Sequence, residues 1–224
     1  MPVARLLSSD FGNPFIGLYC ACNDKLALLG PSVSPKLEEA CKKALGVEVH
    51  TATVSGSNIL GLFCAMNSNG IIVPEQVEKQ ELKHFKELGL EVHILKGRLN
   101  ACGNLIAAND KGAVAHPALE KADIAAISDC LGVEVVPTAI AGYATTGACC
   151  IATNKGFAAH NRASEEELQM LESALKVKGT IATANMGVSF LRPCVVANSH
   201  GYVAGAKTSG FETSRLDEGL GFID

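Results

Sequence analysis

Polar turns punctuate this chain at a near-constant interval, with short apolar runs on either side. Five turns anchor the pattern: Asn23-Asp24-Lys25, Asn67-Ser68-Asn69-Gly70, Asn109-Asp110-Lys111-Gly112, Asn154-Lys155-Gly156 and Asn198-Ser199-His200-Gly201. Their leading asparagines lie 44, 42, 45 and 44 residues apart. Asparagine and glycine tolerate the positive φ of tight hairpin turns, so each copy predicts a hairpin. The strand before each turn is expected at 17–22, 61–66, 103–108, 148–153 and 192–197. Two residues before the turn asparagine stand Ala21, Ala65, Ala107, Ala152 and Val196, a small column that implies close approach of neighbouring strands. A second strand follows, as in residues 26–29, 71–73 and 113–115.

A helix comes next. Ser34 suits a cap and Pro35 the first helical position, and Leu37, Ala40, Cys41, Ala44 and Leu45 form one apolar stripe. In the fourth copy Ser164 and Glu167 make a capping-box pattern ahead of Leu168, Leu171 and Leu175. The third copy shows Ile124, Ile127 and Leu131. The helices end at Leu45-Gly46, Leu88-Gly89, Leu131-Gly132 and Leu220-Gly221, where glycine fits the left-handed residue past a helix end. Leu175-Lys176 departs from this. A third strand is then predicted at 47–49, 91–93, 133–135 and 179–181.

The chain therefore reads as one domain of five repeats, at about 8–55, 56–98, 99–141, 142–184 and 185–224. The fifth copy is short, and residues 3–7 precede the first turn much as 47–51 precede the second. Residues 1–7 are thus expected to complete the fifth copy and close a ring, which leaves no exposed terminal unit. The competing arrangement is an open stack with polar capping ends.

Composition narrows the function. Apolar residues make up 48% of the 224 residues and charged residues 19%, enough for a packed core and too apolar for disorder. A net charge of −4 argues against a general nucleic-acid binder, so any RNA contact needs a local patch. Lys96, Arg98 and Lys111 read as scattered surface charges rather than such a patch. The nine cysteines are an odd number and form no zinc-like CxxC pair, and the N-terminal segment lacks a long apolar run. Reduced thiols and a cytoplasmic location are expected. Two charge-free stretches, 51–74 and 135–154, are broken by turn residues and read as adjacent buried strands, not membrane helices.

No residue stands out as catalytic. Cys20 and Cys64 share one repeat position, and Cys150 and Cys194 share the one before it, where other copies have Tyr19, Phe63 and Leu105. A nucleophile should break such a pattern, so these thiols read as core. Cys20 and Cys22 could share a metal, but no matching pair appears elsewhere. Cys41 and Cys130 lie on helix stripes. Cys102 has no cysteine counterpart and reads as an accessible loop thiol. His116 and His160 follow the second strand at related positions, if the fourth turn is shorter, and read as structural. There is no Walker loop or dinucleotide fingerprint. Neither cofactor nor metal is expected.

Several motifs nevertheless match in order along the chain. They are Ile71-Ile72-Val73-Pro74, the run Arg98-Leu99-Asn100-Ala101-Cys102-Gly103-Asn104, Asn109-Asp110 with His116-Pro117, and Val133-Glu134-Val135. Together with the five copies they resemble the translation initiation factor 6 family of archaea and eukaryotes, and an archaeal member in particular. The resemblance implies an α/β fold of pentein type, a ring of five ββαβ repeats with pseudo-fivefold symmetry (an α/β propeller). It also implies binding rather than catalysis. Family members dock on the large ribosomal subunit beside the sarcin–ricin loop, mainly against a neighbouring ribosomal protein, with that rRNA loop as a further candidate contact. There they obstruct joining of the small subunit and take part in late subunit maturation. The family's A-L-G-N segment matches Ala101-Cys102-Gly103-Asn104, with cysteine replacing leucine. The resemblance therefore gives Asn104, with Gly103 and Asn100, a ribosome-binding role. The loops at 55–58, 142–147 and 185–189 are expected to gather with it at one end of the ring. No DNA, membrane or second copy is expected as a partner, and the tail-based control of eukaryotic members is not expected. The alternative is a cysteine-dependent guanidine-modifying enzyme of the same architecture.

Overall fold

The computed structural model describes residues 4–223. Each repeat forms a three-stranded sheet carrying one helix. In the first, Cys20–Cys22 pairs antiparallel with Leu26–Leu29, which pairs parallel with Glu48–Thr51 after the helix Pro35–Leu45. The pattern recurs in sheets built on the central strands Gly70–Pro74, Ala113–Ala115 and Phe157–His160. The fifth sheet takes its third strand from the opposite end of the chain. Ala4–Ser8 pairs parallel with Gly201–Gly205, in register from Ala4↔Gly201 to Ser8↔Gly205. The molecule is thus a pentein-type α/β ring closed by its N-terminal strand, as expected; Val3 lies outside the described residues.

The central strands are buried along their whole length because their two faces serve different cores. Leu26 and Leu28 pack with Ile71, Val73 and Phe85 of the second unit. Ala27 and Leu29 pack with Leu37, Cys41, Val196 and Val203, on the side of the fifth unit. Five such cores alternate with the five sheets around the ring.

The helices follow their sequence signals. The Ser34 hydroxyl accepts the Leu37 N–H, and Gly46 stops the helix at φ 61°. Ser164 and Glu167 form the expected capping box. Lys176, where glycine was missing, still takes the left-handed stop at φ 56°, a conformation that costs about 1–2 kcal/mol for a residue with a Cβ.

Three expectations change. First, the fourth turn is anchored by Thr153, not Asn154. The side-chain oxygens of Asn23, Asn67, Asn109 and Asn198 each accept two backbone N–H groups, two and three residues on. In the fourth unit the Thr153 hydroxyl accepts those of Lys155 and Gly156 instead. A hydroxyl of similar reach replaces the amide oxygen, and the register of that copy moves by one. Ile151 then replaces Ala152 in the small column, Cys150 joins Cys20 and Cys64, and Cys149 aligns with Cys194. His116 and His160 become equivalent without any shortened turn, and each Nδ1 accepts the backbone N–H two residues ahead.

Second, the segments before the turns are strands only at their ends. Their first halves are helical turns at Ile16–Leu18, Leu60–Phe63, Cys102–Leu105 and Thr146–Cys149. Third, the last strand of the third unit is Val135–Pro137 rather than 133–135, because Val133 is held to the helix end through Ser128. The Val133 N–H donates to the Ser128 carbonyl, and the Ser128 hydroxyl donates to the Val133 carbonyl.

The turn asparagines also stitch the ring. Each side-chain amide donates to the turn carbonyl of the next unit: Asn23 to Asn67, Asn67 to Asn109, Asn109 to Thr153, and Asn198 to Asn23, at 2.8–3.1 Å. Three of them also reach a helix-end carbonyl, of Leu131, Leu175 or Leu45. Thr153 cannot make the link to the fifth unit. Asn67→Ala should therefore lower unfolding free energy by about 3–5 kcal/mol, since buried groups lose both local and inter-unit partners. Thr153→Asn should raise it by roughly 0.5–1.5 kcal/mol by supplying the missing link. Urea titration of both variants checks the pair; a stability unchanged by Asn67→Ala would refute the stitching role.

Candidate functional site

The two ends of the ring axis differ in chemistry. At the turn end, Asp24, Asp110 and Asn154 fill the axis and bond to one another's units. The Asn154 amide donates to both carboxylates, at 2.8 and 2.6 Å, and the backbone N–H groups of Ser199 and Ser68 donate to Asp24 and Asp110. The carboxylates and the Asn154 amide are used internally, and the Ser199 hydroxyl is buried without a partner among the described residues, so this end is closed.

At the opposite end the helical turns crowd together. With the corrected register, Gly17, Gly61, Gly103 and Gly147 occupy one repeat position. A Cβ on Gly61 would collide with the Gly17 carbonyl, one on Gly103 with that of Gly61, and one on Gly147 with that of Gly103. Only glycine permits this approach. The fifth unit breaks the column with Arg192. Its side chain reaches across to the second unit, where Nε donates to the Gly61 carbonyl at 3.0 Å and Nη2 to the Cys64 carbonyl at 2.7 Å. Protein surrounds the guanidinium, and burial lowers its pKa from the ordinary arginine value. It keeps some accessible surface only because it borders two spaces: a central cavity of about 40 Å³ and a wider mouth of about 380 Å³.

The mouth is apolar. Phe15, Leu18, Leu62, Val188 and Phe190 form its walls, and Asn104 and Thr145 supply polar groups. Of the three loops expected to gather beside Asn104, 142–147 contributes Thr145 and 185–189 contributes Val188 to the lining, whereas no residue of 55–58 does. The three expected site residues separate, however. Asn104 lines the mouth, half-buried, and its side-chain amide has no hydrogen-bond partner among the described residues; only its backbone N–H is used, by the Ala101 carbonyl. Gly103 is buried in the glycine ring and offers no surface. Asn100 is half-buried outside the mouth lining, and its carbonyl accepts the Cys102 thiol.

The loops around this end are held in strained shapes by buried carboxylates. Ser55 and Gly56 take positive φ, as do Ala141 and Gly142, and Asn185, Met186 and Gly187. Glu81 receives the N–H groups of Ser55, Gly56 and Glu78 and the Thr53 hydroxyl; Glu212 receives those of Met186, Gly187 and Ser209 and the Thr183 hydroxyl. In the first unit the arrangement is inverted, with Asp10 of the loop accepting the Ser34 N–H at the helix start. The Asn185 amide ties its loop to the Pro14 carbonyl, so the exposed tips Phe11 (79% exposed) and Met186 (78%) belong to loops joined together.

The thiols are not poised for attack. Burial pushes Cys64, Cys149 and Cys194 up to about 11 and Cys102 to about 12, the reverse of an activated cysteine. Cys102, expected in the open, is fully buried at the start of a helical turn. No group of three His, Cys, Asp or Glu side chains among the described residues could hold a metal. No helix among them is long and apolar enough to cross a membrane.

The geometry defines a closed α/β ring with a sealed turn end and an apolar, loop-rimmed mouth. A family model described as the eIF-6 family matches residues 7–219, and the chain belongs to that family. It is 38% identical over 222 residues to Translation initiation factor 6 of Thermococcus onnurineus, covering 96% of this chain and 97% of that one. It is likewise 38% identical to Translation initiation factor 6 of Pyrococcus abyssi over the full length of both, and 36% identical to that of Pyrobaculum arsenaticum over 94% of this chain and 96% of the other. Among solved structures it is similar to a dimethylarginine dimethylaminohydrolase variant in adduct with S-methyl-L-thiocitrulline, at 11% identity and a TM-score of 0.48, covering 92% and 72% of the two chains. That likeness bears on neither fold nor chemistry.

The buried carboxylates give the loops a pH dependence. Burial pushes Glu81 upward, but the Thr53 hydroxyl and the N–H groups of Glu78, Gly56 and Ser55 outweigh it and hold the carboxyl below the ordinary glutamate value. A group with a depressed folded pKa stabilises the fold above its unfolded pKa, and that contribution is lost as pH falls through the folded pKa. Glu81→Gln should cost about 1–3 kcal/mol at pH 7 and flatten the loss of stability below about pH 4.5. Denaturation at stepped pH reads both effects; an acid limb as steep as that of the parent would refute the assignment.

Proposed function

We propose that this protein acts in translation initiation by binding the large ribosomal subunit through the mouth end of the ring, against a ribosomal protein beside the sarcin–ricin loop. Bound there, it obstructs premature joining of the small subunit and takes part in late subunit maturation. The ring works as a rigid, non-catalytic monomer in the cytoplasm. Membership in a family whose relatives are named for translation initiation supports the setting. The observation that carries the site is Asn104: a half-buried amide, at the rim of an apolar concavity, whose two donors and acceptor have no partner within the described chain. A residue that merely closed a turn would spend its side chain on the backbone, as the five turn anchors do. The exposed apolar tips Phe11 and Met186, on the loops that lead to the mouth-lining Phe15 and Val188, suit a protein surface better than rRNA, and the net charge of −4 agrees.

The enzyme alternative gains nothing from the geometry. Its cationic guanidine substrate would meet the Arg192 guanidinium at the floor of the mouth, and like charges repel there. Arginine and methylated arginines should show no turnover with the parent; turnover that disappears in Cys194→Ser would restore the enzyme reading.

Asn104→Ala should weaken binding to purified large subunits by about threefold to tenfold while the melting curve stays unchanged, because one interface hydrogen bond is lost and no internal one. Titration at fixed salt measures it. Unchanged affinity would remove Asn104 from the interface, and a parallel loss of stability would make it a structural residue.

A further inference from the structure

We propose that the central cavity binds a small monovalent anion, chloride in the cell, as the counter-ion of Arg192. A guanidinium cannot shed its proton, and one enclosed by protein normally has a carboxylate partner. Among the described residues Arg192 has none: its acceptors are the Gly61 and Cys64 carbonyls, and it takes part in no ion pair. Those carbonyls occupy Nε and one hydrogen of Nη2. Nη1 bonds to nothing among the described residues and is not sealed by protein, so it borders open space. The walls of the mouth are apolar almost throughout, whereas polar surface dominates the central cavity, and Arg192 is the one side chain lining that cavity that bears nitrogen or oxygen. The unused edge of the guanidinium therefore faces inward, along the axis.

The rest of that polar surface is backbone. Among the described residues each sheet ends in a strand that no other strand flanks on its second side: Cys20–Cys22, Ala65–Met66, Ile106–Ala108, Cys150–Ala152 and Val195–Ala197. In the first, the Asn23 N–H donates to the Leu26 carbonyl and the Gly30 N–H to that of Tyr19, so Ala21 and Leu28 form the bonded pair between them. Cys22 consequently turns its N–H and carbonyl away from the partner strand. The same register gives Met66, Ala108, Ala152 and Ala197 this orientation. These five residues hold one repeat position, immediately before the turn anchor, and all of them line the cavity. The Cys64 carbonyl that receives Nη2 belongs to the same kind of inner edge, which seats the guanidinium against it. The cavity thus lies between a cation and a ring of five backbone N–H groups, a donor set that suits an anion. Carbonyls of the same edges are left to water, apart from that of Ala197, which accepts the Cys22 thiol.

Size and charge narrow the ligand. About 40 Å³ has room for a monatomic ion with a water or two, and not for phosphate or an organic acid. The lining thiols cannot serve instead, because burial pushes Cys22 and Cys150 upward and keeps them protonated. Asp24 and Asp110 stand two residues beyond the ring of N–H groups, held by Asn154 and by the Ser199 and Ser68 N–H groups, so the anion belongs at the Arg192 side of the cavity.

This site does not depend on the ribosomal reading, and its test uses none of that machinery. An ion that binds only the folded ring raises its stability by mass action. Urea unfolding of the full chain is compared in sodium chloride, sodium bromide and sodium gluconate at one ionic strength, gluconate being too large for the cavity. At about 0.2 M salt, chloride and bromide should each raise the folding equilibrium constant by about tenfold over gluconate, as a Kd below about 20 mM requires. Arg192→Met should abolish the difference between the salts. Crystals grown in bromide should show an anomalous peak on the axis in contact with Nη1. If Arg192→Met does not fold, by its melting curve, the salt contrast of the parent and the bromide map decide the matter. Equal stability of the parent in chloride and gluconate, a contrast that survives in Arg192→Met, or axial density without anomalous signal, which is water, would each overturn the proposal.

Discussion

Each sheet in this ring lends its two faces to two different cores. Leu28 and Leu29, neighbours on one strand, belong to separate hydrophobic clusters, and the same division recurs in every unit. A unit on its own would leave one face of its central strand in water, so none can be stable alone. The whole architecture follows from that sharing. It explains why the central strands are apolar without alternation, and it places the turn asparagines where, besides holding their own turns, their amides can bond to the next unit. It also makes closure a necessity: without Ala4–Ser8, the last sheet would lack its third strand and the Leu6 side chain would be missing from the core between the fifth and first units.

Closure in turn dictates what the two ends of the axis can be. Five copies of one segment must meet at a point, and at the mouth end they meet as helical turns whose glycines accept a neighbouring carbonyl where a Cβ would stand. Four glycines fill the available space, and the fifth position is free to differ. Arg192 uses that freedom, and its charge becomes the floor of the mouth. Around it the carboxylates of Glu81 and Glu212 hold loops in left-handed conformations that their own sequences would not favour. The rim is therefore built from the helix caps outward, and Asn104 stands on it with nothing internal to bind.

Much of the fold was legible because the repeat is carried by residues with few alternatives. Asparagine turns, helix caps and the glycine or glycine-like stops each point to one local structure, and the surplus of residues before the first turn pointed to closure. The errors arise where one residue type substitutes for another in the same role. Thr153 holds its turn through a hydroxyl, and the more conspicuous Asn154 beside it drew the register one residue astray. That shift concealed the glycine column, and with it Arg192, whose departure from the column was the available signal. The helical turns were read as strands because apolar character says nothing about crowding at a symmetry axis. Cys102 looked exposed only because its segment looked like a loop. Of the site, Asn104 was found through its motif, whereas the apolar walls were not, since Phe15 and Leu18, Leu62, and Phe190 come from three separate segments that only the closed ring brings together.

Pairing Ala4–Ser8 with Gly201–Gly205 has a consequence for biogenesis. The first strand to leave the ribosomal tunnel is the last to find its place, because its partner is nearly two hundred residues downstream. Units can dock on one another as they emerge, each completing the core begun by its predecessor. The first unit nevertheless keeps an open flank until the fifth arrives, so the growing arc remains adhesive at both of its margins throughout synthesis. Such late, long-range parallel pairing is slow to form. The finished ring has no margin left to offer, and its passage from adhesive arc to inert circle waits until Gly201–Gly205 has emerged to receive Ala4–Ser8.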